Sequence, residues 1–386
     1  MRIAFVGRVS LNPLAESFRF DRVFPVVKWG FPLGSEIVKE LVGKGHEVHV
    51  ITEHTVDQEE VYRAEGLVVH LVPSRKRSRW TFLTLFFKEV QGLRDVIKKI
   101  KPDVVFAQWT YANAYAGLTS GYPTLCVAHD SPWRIAWVNG GLQAWVKANY
   151  AQLFVFPRLK NLTTVSPYIT EELRRFNRYK RKVPVIPNGI KIPADYQRTP
   201  IRENATTVAV VADWSARKNV KTFFRAWSAL KKRRPHWRAV VFGAGLDEET
   251  AGMWAAKRGI ALDGIELRGL QSRPVIDKFL REEADVFCSP SLEESFGMVF
   301  VEAMIRGVPC VGGEKSGAVP WVMGEGGVTC DVTCPEKLAA CLEDLMLDYE
   351  RRKRLSDAGM RRVREMFDLE KIVDAYEAEL MRVSGV

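Results

Sequence analysis

Two carboxylates, Glu294 and Glu302, flank a segment suited to holding an anion: Ser289-Pro-Ser-Leu-Glu-Glu-Ser-Phe-Gly-Met-Val-Phe-Val-Glu-Ala-Met. The apolar run Ala284–Ser289 reads as a strand, Gly297 opens a helix, and Gly307-Val-Pro ends that helix into the next strand. A helix start carries unpaired backbone N–H groups and a partial positive charge, so it binds an anion without any side chain. Glu302 falls about one turn inside the helix, in reach of hydroxyls attached to a phosphate at the tip. Glu294 falls in the loop just ahead of it. A ligand with hydroxyls on both sides of a diphosphate, such as a nucleotide sugar, suits this pair. The same spacing also fits a capping acid at Glu294 and a solvated helix residue at Glu302. Spacing alone leaves both readings open.

The elements that must position these residues alternate along the whole chain, short apolar runs with helix-length amphipathic segments, as in parallel sheets with crossover helices. In the first half, strands are expected at Ile3–Gly7, Glu47–Thr52, Val68–Pro73, Asp103–Gln108, Thr124–His129, Asn161–Ser166 and Val183–Pro187. Helices are expected at Ser35–Gly43, Thr81–Ile100 and Ser166–Phe176. The second half starts over at Thr207–Ala212 and continues with helix Val220–Arg233, strands Ala239–Gly243 and Ile265–Gly269, and helix Pro274–Glu283. Strands Ala284–Ser289 and Val308–Gly312 follow, and helix Leu369–Val383 closes the chain. With 386 residues the chain exceeds what one core usually organises. The expected division is a first Rossmann-like domain at 1–190, a linker at 191–205, a second domain at 206–367, and a C-terminal helix at 368–386 able to pack on the first domain. Two doubly wound α/β domains facing across a cleft is the economical architecture, with ligands beyond the carboxyl ends of the strands.

Composition narrows the function classes. Hydrophobic residues make up 47% and charged residues 27%, which excludes a disordered or collagen-like chain. The net charge of +11 suits phosphorylated small molecules, an anionic membrane surface or nucleic acid. No recognition-helix or stacking motif supports nucleic acid. The six cysteines form no C-x-x-C pair, so buried thiols in a reducing compartment are expected, without zinc or disulfides. The N-terminal apolar run is too short for a signal peptide and no stretch suffices for a membrane span, so a cytoplasmic protein is expected. Neither Gly7-Arg-Val-Ser nor Phe242-Gly-Ala-Gly completes a dinucleotide fingerprint, which disfavours a nicotinamide dehydrogenase.

The run Glu294-Ser-Phe-Gly…Glu302-Ala-Met…Gly307-Val-Pro resembles the E-x7-E signature of retaining family 4 glycosyltransferases, which have the GT-B fold. Five other segments are similar to the same family, in order along the chain: Leu41-Val-Gly-Lys-Gly-His-Glu-Val-His-Val-Ile-Thr, Val127-Ala-His-Asp, Val185-Ile-Pro-Asn-Gly-Ile, Arg217-Lys-Asn and Phe242-Gly-Ala-Gly. The resemblance implies an enzyme, a hexosyltransferase type (EC 2.4), using a UDP- or GDP-sugar as co-substrate, with no other cofactor and no metal. It implies that Glu302 holds ribose hydroxyls, Glu294 contacts donor-sugar hydroxyls, and Lys218 offsets charge on the diphosphate. It implies that Ser295, Phe296, Gly297 and Met298 line the donor site, the last three through backbone amides. His129 matches a histidine near the reacting sugar, Gly34 a glycine of the loop after the first strand, and Gly30 and Asp130 fall on the same acceptor or phosphate side. The family's usual Gly-Arg after the first strand of the second domain reads Ala212-Asp213 here, so Arg217 is expected to supply the missing cation.

The stretch Val9–Leu33, with Arg19, Arg22 and Lys28, is long for a strand-to-helix loop and is expected to shape an acceptor site. Basic clusters at Arg75–Arg79 and Arg174–Lys182 suit either solvated surface or docking on anionic lipid, peripheral at the inner face of a membrane. Trp133, Trp137, Trp145 and Tyr150 suit either packing or stacking on an acceptor sugar or lipid. The arginines at 351–364 read as solvated surface, and His46, His49, His54 and His70 as ordinary scattered residues. The acceptor is expected to be a glycan, a lipid-linked species or a small molecule in envelope or polysaccharide biosynthesis. A nucleotide-sugar epimerase or other GT-B enzyme is the alternative.

Overall fold

The structure, a computed structural model, describes residues 1–25, 30–74, 86–192 and 200–385. Lys28, the Arg75–Arg79 cluster and residues 193–199 of the expected linker lie outside the described residues. The chain forms two compact units, Met1–Lys191 with Leu369–Val386, and Ile192–Asp368.

The first unit contains β1 (Arg2–Val6), β2 (Glu47–His54), β3 (Glu60–Ala64), β4 (Leu67–Pro73), β5 (Val104–Gln108), β6 (Thr124–Ala128) and β7 (Asn161–Thr164) in one sheet, ordered β3-β4-β2-β1-β5-β6-β7. All pairings are parallel except β3 with β4. Ile3, Ala4, Phe5 and Val6 are all fully buried, because helices cover both faces of a parallel sheet and its strands become continuous apolar runs. The second unit contains β8 (Thr207–Val211), β9 (Arg238–Phe242), β10 (Ile265–Gly269), β11 (Val286–Ser289), β12 (Cys310–Gly313) and β13 (Gly327–Cys330), all parallel and ordered β10-β9-β8-β11-β12-β13. Its core packs the helix Val220–Arg233 on the sheet through Phe223, Phe224, Trp227 and Leu230.

The structure corrects several expectations. Val183–Pro187 is not a strand; only an isolated bridge joins Val185 to Thr164. Strands β3 and β13 and the helices Pro335–Leu347 and Tyr349–Met366 were not anticipated. The stretch Val9–Leu33 is not wholly a loop, since Leu11–Ser17 is helical and buries Leu11 and Leu14. Arg22 is tied to β3, donating to the Val61 carbonyl and lying over the Tyr62 ring. Arg352 is not solvated: it is fully buried and donates to the carbonyls of Leu345, Met346, Arg202 and Glu203. Arg362 likewise donates to the carbonyls of Trp321 and Val322. His49 and His70 are not scattered but bonded to each other, Nδ1 to Nε2 at 3.1 Å, with Glu47 and Glu59 at either end. Of the six free cysteines, Cys126, Cys288 and Cys310 are buried and the other three half-buried. No described helix is long and apolar enough to cross a membrane.

The C-terminal helix Leu369–Ser384 belongs to the first unit. The Leu369 amide donates to the Ile190 carbonyl at 3.1 Å, and a Cβ on Gly189 would stand 2.9 Å from the Leu369 Cα, so a side chain there would push the helix away. Tyr376 is almost fully buried against Phe106, ring centroids 5.1 Å apart, and its hydroxyl reaches the Ile186 carbonyl at 3.5 Å. Tyr376→Ala should lower unfolding stability by about 3–5 kcal/mol through lost burial and a residual cavity. Tyr376→Phe should lower it by about 1 kcal/mol or less, because the bond lost is long. Urea titration checks both; equal losses would mean that the hydroxyl, not the ring, holds the helix.

Candidate active site

The second unit's sheet changes direction between β8 and β11: β9 and β10 extend one way from β8, β12 and β13 the other way from β11. Chain connections diverge there, the point at which doubly wound sheets place their ligands, beyond the carboxyl ends of the strands. The loops that follow these strands bear Arg217 and Lys218 on one side and Glu294 on the other. They are fastened to each other by backbone. The Leu292 amide donates to the Arg217 carbonyl at 2.8 Å, and the Asn219 side-chain amide donates to the carbonyls of Pro290 (3.2 Å) and Val332 (2.8 Å). Asn219 has φ +52°, a left-handed conformation that asparagine tolerates better than most residues. Behind Glu294, its carbonyl accepts from the Ala318 amide at 2.9 Å, and the Ser316 hydroxyl donates to the Ser291 carbonyl at 2.5 Å.

This frame brings three predicted residues together. Lys218 Nζ lies 2.5 Å from Glu294 Oε1, and Arg217 Nη1 lies 3.1 Å from Oε2 and 2.9 Å from the Glu293 carbonyl. The Glu294 and Lys218 side chains are 9% and 13% exposed. Burial pushes the Glu294 carboxyl up, but Lys218 and Arg217 outweigh it and hold the group below the usual carboxylate range. Glu294 is therefore an ionised hydrogen-bond acceptor at neutral pH. Gly297, at φ +93°, turns the chain into the helix Met298–Ile305. The amides of Met298 and Val299 meet no backbone acceptor among the described residues. Phe296 anchors the turn, its buried ring against Phe367 (5.3 Å) and Trp321 (6.2 Å). Ser295 is half-buried between Glu294 and Phe296.

Glu302 is not in the Glu294 cluster; it is paired with Arg273, at the start of the helix Arg273–Glu282. Sequence reasoning missed Arg273, because only the fold brings residues 273 and 302 together. Asp213 accepts the Ser215 amide at 2.9 Å. Burial raises its carboxyl, but Ser215, Lys218 and Arg217 outweigh that and hold it low. It is a turn-forming acid beside the two cations.

In the first unit the corresponding change of direction lies between β1 and β5, and there a second set assembles. His129, one residue past β6, places Nε2 at 2.8 Å from Gln108 Oε1, at the end of β5. Its ring lies 4.6 Å from Trp109 and 5.2 Å from Phe31. Burial pushes its imidazole down to about 3, so it is neutral at pH 7, with Nε2–H donating to Gln108. Gln108 and Trp109 were missed as site residues; Trp109 has φ +65°. Gly34 sits in the first turn of the helix Pro32–Gly43, where a Cβ would stand 2.8 Å from the Arg8 carbonyl oxygen and 2.9 Å from the Phe31 ring. Gly30 packs on the Ser10 backbone, where a Cβ would stand 2.6 Å from Cα. Asp130 accepts the Tyr111 hydroxyl at 2.9 Å, and burial raises its carboxyl to about 6.

Two doubly wound sheets, parallel except for the edge strand β3, one carrying a cation-rich helix tip where its strand order reverses, define a GT-B type α/β protein. The chain belongs to the family 4 glycosyltransferases: the family described as Glycosyltransferase Family 4 matches residues 35–192, and that described as Glycosyl transferases group 1 matches residues 191–362. The chain is 36% identical over 113 residues to MMP alpha-(1->4)-mannosyltransferase of Mycolicibacterium hassiacum, covering 28% of this chain and 27% of that protein. Two further curated relatives are matched over 49% and 25% of their lengths. In fold it is similar to sucrose-phosphate synthase of Thermosynechococcus elongatus, with TM-score 0.78, 17% identity, and 100% and 99% of the two chains covered. It is also similar to Anabaena HepE in complex with UDP-glucose, with TM-score 0.69, 17% identity, and 99% and 100% covered.

Glu294→Ala should cost about 2–4 kcal/mol of stability, since it leaves two cations without their shared acid, and Lys218→Ala about 1–3 kcal/mol, since Glu294 keeps Arg217. The double variant should lose about 1–3 kcal/mol less than the sum; simple additivity would show that the pair is uncoupled. Asp130 has the opposite pH behaviour from Glu294. Its folded-state value is raised, so the folded protein holds the proton longer and stability falls as pH rises from about 4 to about 6. Asp130→Asn should therefore be more stable than wild type at pH 7, with the gap closing at pH 4 in urea titrations. A gap independent of pH would refute the assignment.

Proposed function

We propose that the chain is a retaining glycosyltransferase that moves a hexose-type sugar from a nucleotide-diphosphate sugar, with UDP or GDP as leaving group, to a hydroxyl of a glycan, lipid-linked or small-molecule acceptor. The observation that carries the reading is the Arg217–Lys218–Glu294 cluster beside the helix tip, at the point where β8 and β11 diverge. Family membership and the UDP-glucose bound by HepE support it. In this reading the diphosphate takes Lys218, Arg217 and the amides of Gly297 and Met298. Fixed donors aimed where charge develops need no reorganisation during the reaction. Glu294, ionised, accepts hydroxyls of the sugar, and Glu302 exchanges Arg273 for ribose hydroxyls. No metal enters the scheme.

The bond from the anomeric carbon to the diphosphate oxygen breaks, with its electron pair leaving on the diphosphate. The acceptor hydroxyl oxygen attacks the same face, and its proton passes to the departing diphosphate oxygen. The products are a glycoside of retained configuration and a nucleoside diphosphate. His129, neutral and aromatic-packed, serves as a hydrogen-bonding wall at the reacting sugar, not as a cation. An epimerase would not consume donor in proportion to acceptor.

Lys218→Ala should lower kcat by about a hundredfold or more, and Glu302→Ala should act mainly on the donor KM. Glu294→Ala should lower kcat and kcat/KM together. These are read by nucleoside diphosphate release over a panel of UDP- and GDP-sugars. Near wild-type turnover in all three variants, or release that ignores acceptor, would sink the reading; NMR of the product anomer tests retention.

A further inference from the structure

We propose that the first unit docks on an anionic lipid bilayer through the helical hairpin at residues 132–155, with the basic segment Arg174–Lys182 beside it. The proposal does not rest on the sugar-transfer reading. The hairpin consists of the helices Pro132–Asn139 and Leu142–Tyr150, joined by Gly140 and Gly141, both at positive φ, and continued by a π-helical turn, Ala151–Val155. Along the second helix and its continuation, residues 142, 145, 149 and 153 recur at helical spacing on one face. Three of the four are apolar and open to solvent, Leu142 at 68%, Trp145 at 36% and Leu153 at 63% exposed, with the exposed Asn149 between them donating to the Trp145 carbonyl at 2.9 Å. Trp137, from the first helix, is 73% exposed, and its ring meets that of Trp145 at 6.1 Å, which in turn meets Trp133 at 6.0 Å. Scattered apolar residues on a surface need no explanation, but a contiguous patch containing tryptophans does.

The charge around this patch selects the partner. From Ser131 to Thr170 the chain contains no Asp or Glu, while Arg134, Lys147, Arg158 and Lys160 are cationic; the acids that bound the stretch are Asp130 and Glu171-Glu172, and Glu172 lies 4.0 Å from Arg134. Gln152 ties the basic segment to the hairpin: its Oε1 accepts from Trp133 Nε1 at 3.2 Å and from Asn177 Nδ2 at 3.0 Å. On either side of Asn177 stand Arg174, Arg175, Arg178, Lys180, Arg181 and Lys182, all exposed. Phe176 is 40% exposed under the Arg175 guanidinium. Tryptophan and leucine flanked by cations match the two layers of an anionic bilayer surface, apolar at the acyl boundary and negative at the headgroups. A protein partner of ordinary composition would not require so long an acid-free stretch.

The test is co-sedimentation of the full chain with phosphatidylcholine vesicles, with and without about a third phosphatidylglycerol, at low and at about 0.5 M salt. Wild type should bind the anionic vesicles at least about tenfold more tightly than the neutral ones, with the preference falling at high salt. Trp137→Ser with Leu142→Ser should cut binding about tenfold, and Arg174→Glu with Arg178→Glu should do the same. Both variants should keep the wild-type melting temperature and near-ultraviolet circular dichroism, since the residues changed are exposed. Equal binding to neutral and anionic vesicles, or wild-type binding by either variant, would overturn the proposal. So would a dimer that Trp137→Ser dissociates, or tighter binding to a DNA duplex than to the vesicles. Binding is read without donor or acceptor, so failure of the transferase reading leaves this result untouched.

Discussion

A carboxylate nine-tenths buried must have its charge answered, and the meeting of Glu294 with Lys218 and Arg217 is that answer. Much of the second unit's local design serves the meeting. The left-handed Asn219 turns its side-chain amide onto two carbonyls, and the loops after β8 and β11 bond backbone to backbone. Phe296 is wedged against Phe367 and Trp321. Asp213, where a second cation is usual in the family, is taken up by its own turn to Ser215. The result is a site whose cations are already oriented, and whose acid is ionised.

The first unit solves a different problem in a different way. His129 is buried with no carboxylate partner among the described residues, and burial keeps it neutral, hydrogen-bonded to Gln108 and boxed by Phe31 and Trp109. Asp130, next in sequence, is buried enough to titrate near 6 although Tyr111 donates to it. Adjacent residues thus carry the opposite effects of burial on a base and on an acid. Gly34 and Gly30 let the chain before the first long helix lie close on Arg8 and Ser10, which brings Phe31 to this site.

Much of the fold was legible because parallel strands covered on both faces are unbroken apolar runs, and Ile3–Val6, Val104–Gln108 and Val286–Ser289 announce themselves. What escaped notice lies at sheet edges or in charged helices. β3, Glu-Val-Tyr-Arg-Ala, and β13, Gly-Val-Thr-Cys, have too few apolar residues to stand out from loops. The helix Tyr349–Met366 is so rich in arginine that it reads as surface, although Arg352 is a buried clamp on four carbonyls. A cation buried on carbonyl oxygens leaves no trace in composition.

By itself the sequence determined the class of fold, the family through its ordered motifs, and which side chains are candidates: Glu294, Glu302, Lys218, Arg217 and His129. Those follow from residue type and local spacing, which are properties of the chain before it folds. Only the tertiary structure decided what each one meets. It set two cations on Glu294 and Arg273 on Glu302, drew Gln108 and Trp109 to His129, and left Trp137 in solvent while burying Tyr150. Partners 29 residues apart, as Arg273 and Glu302 are, or 77 apart, as Arg217 and Glu294 are, are chosen by sheet order and loop closure. Charge state and exposure depend on those partners, so they are fixed only once the sheets have formed.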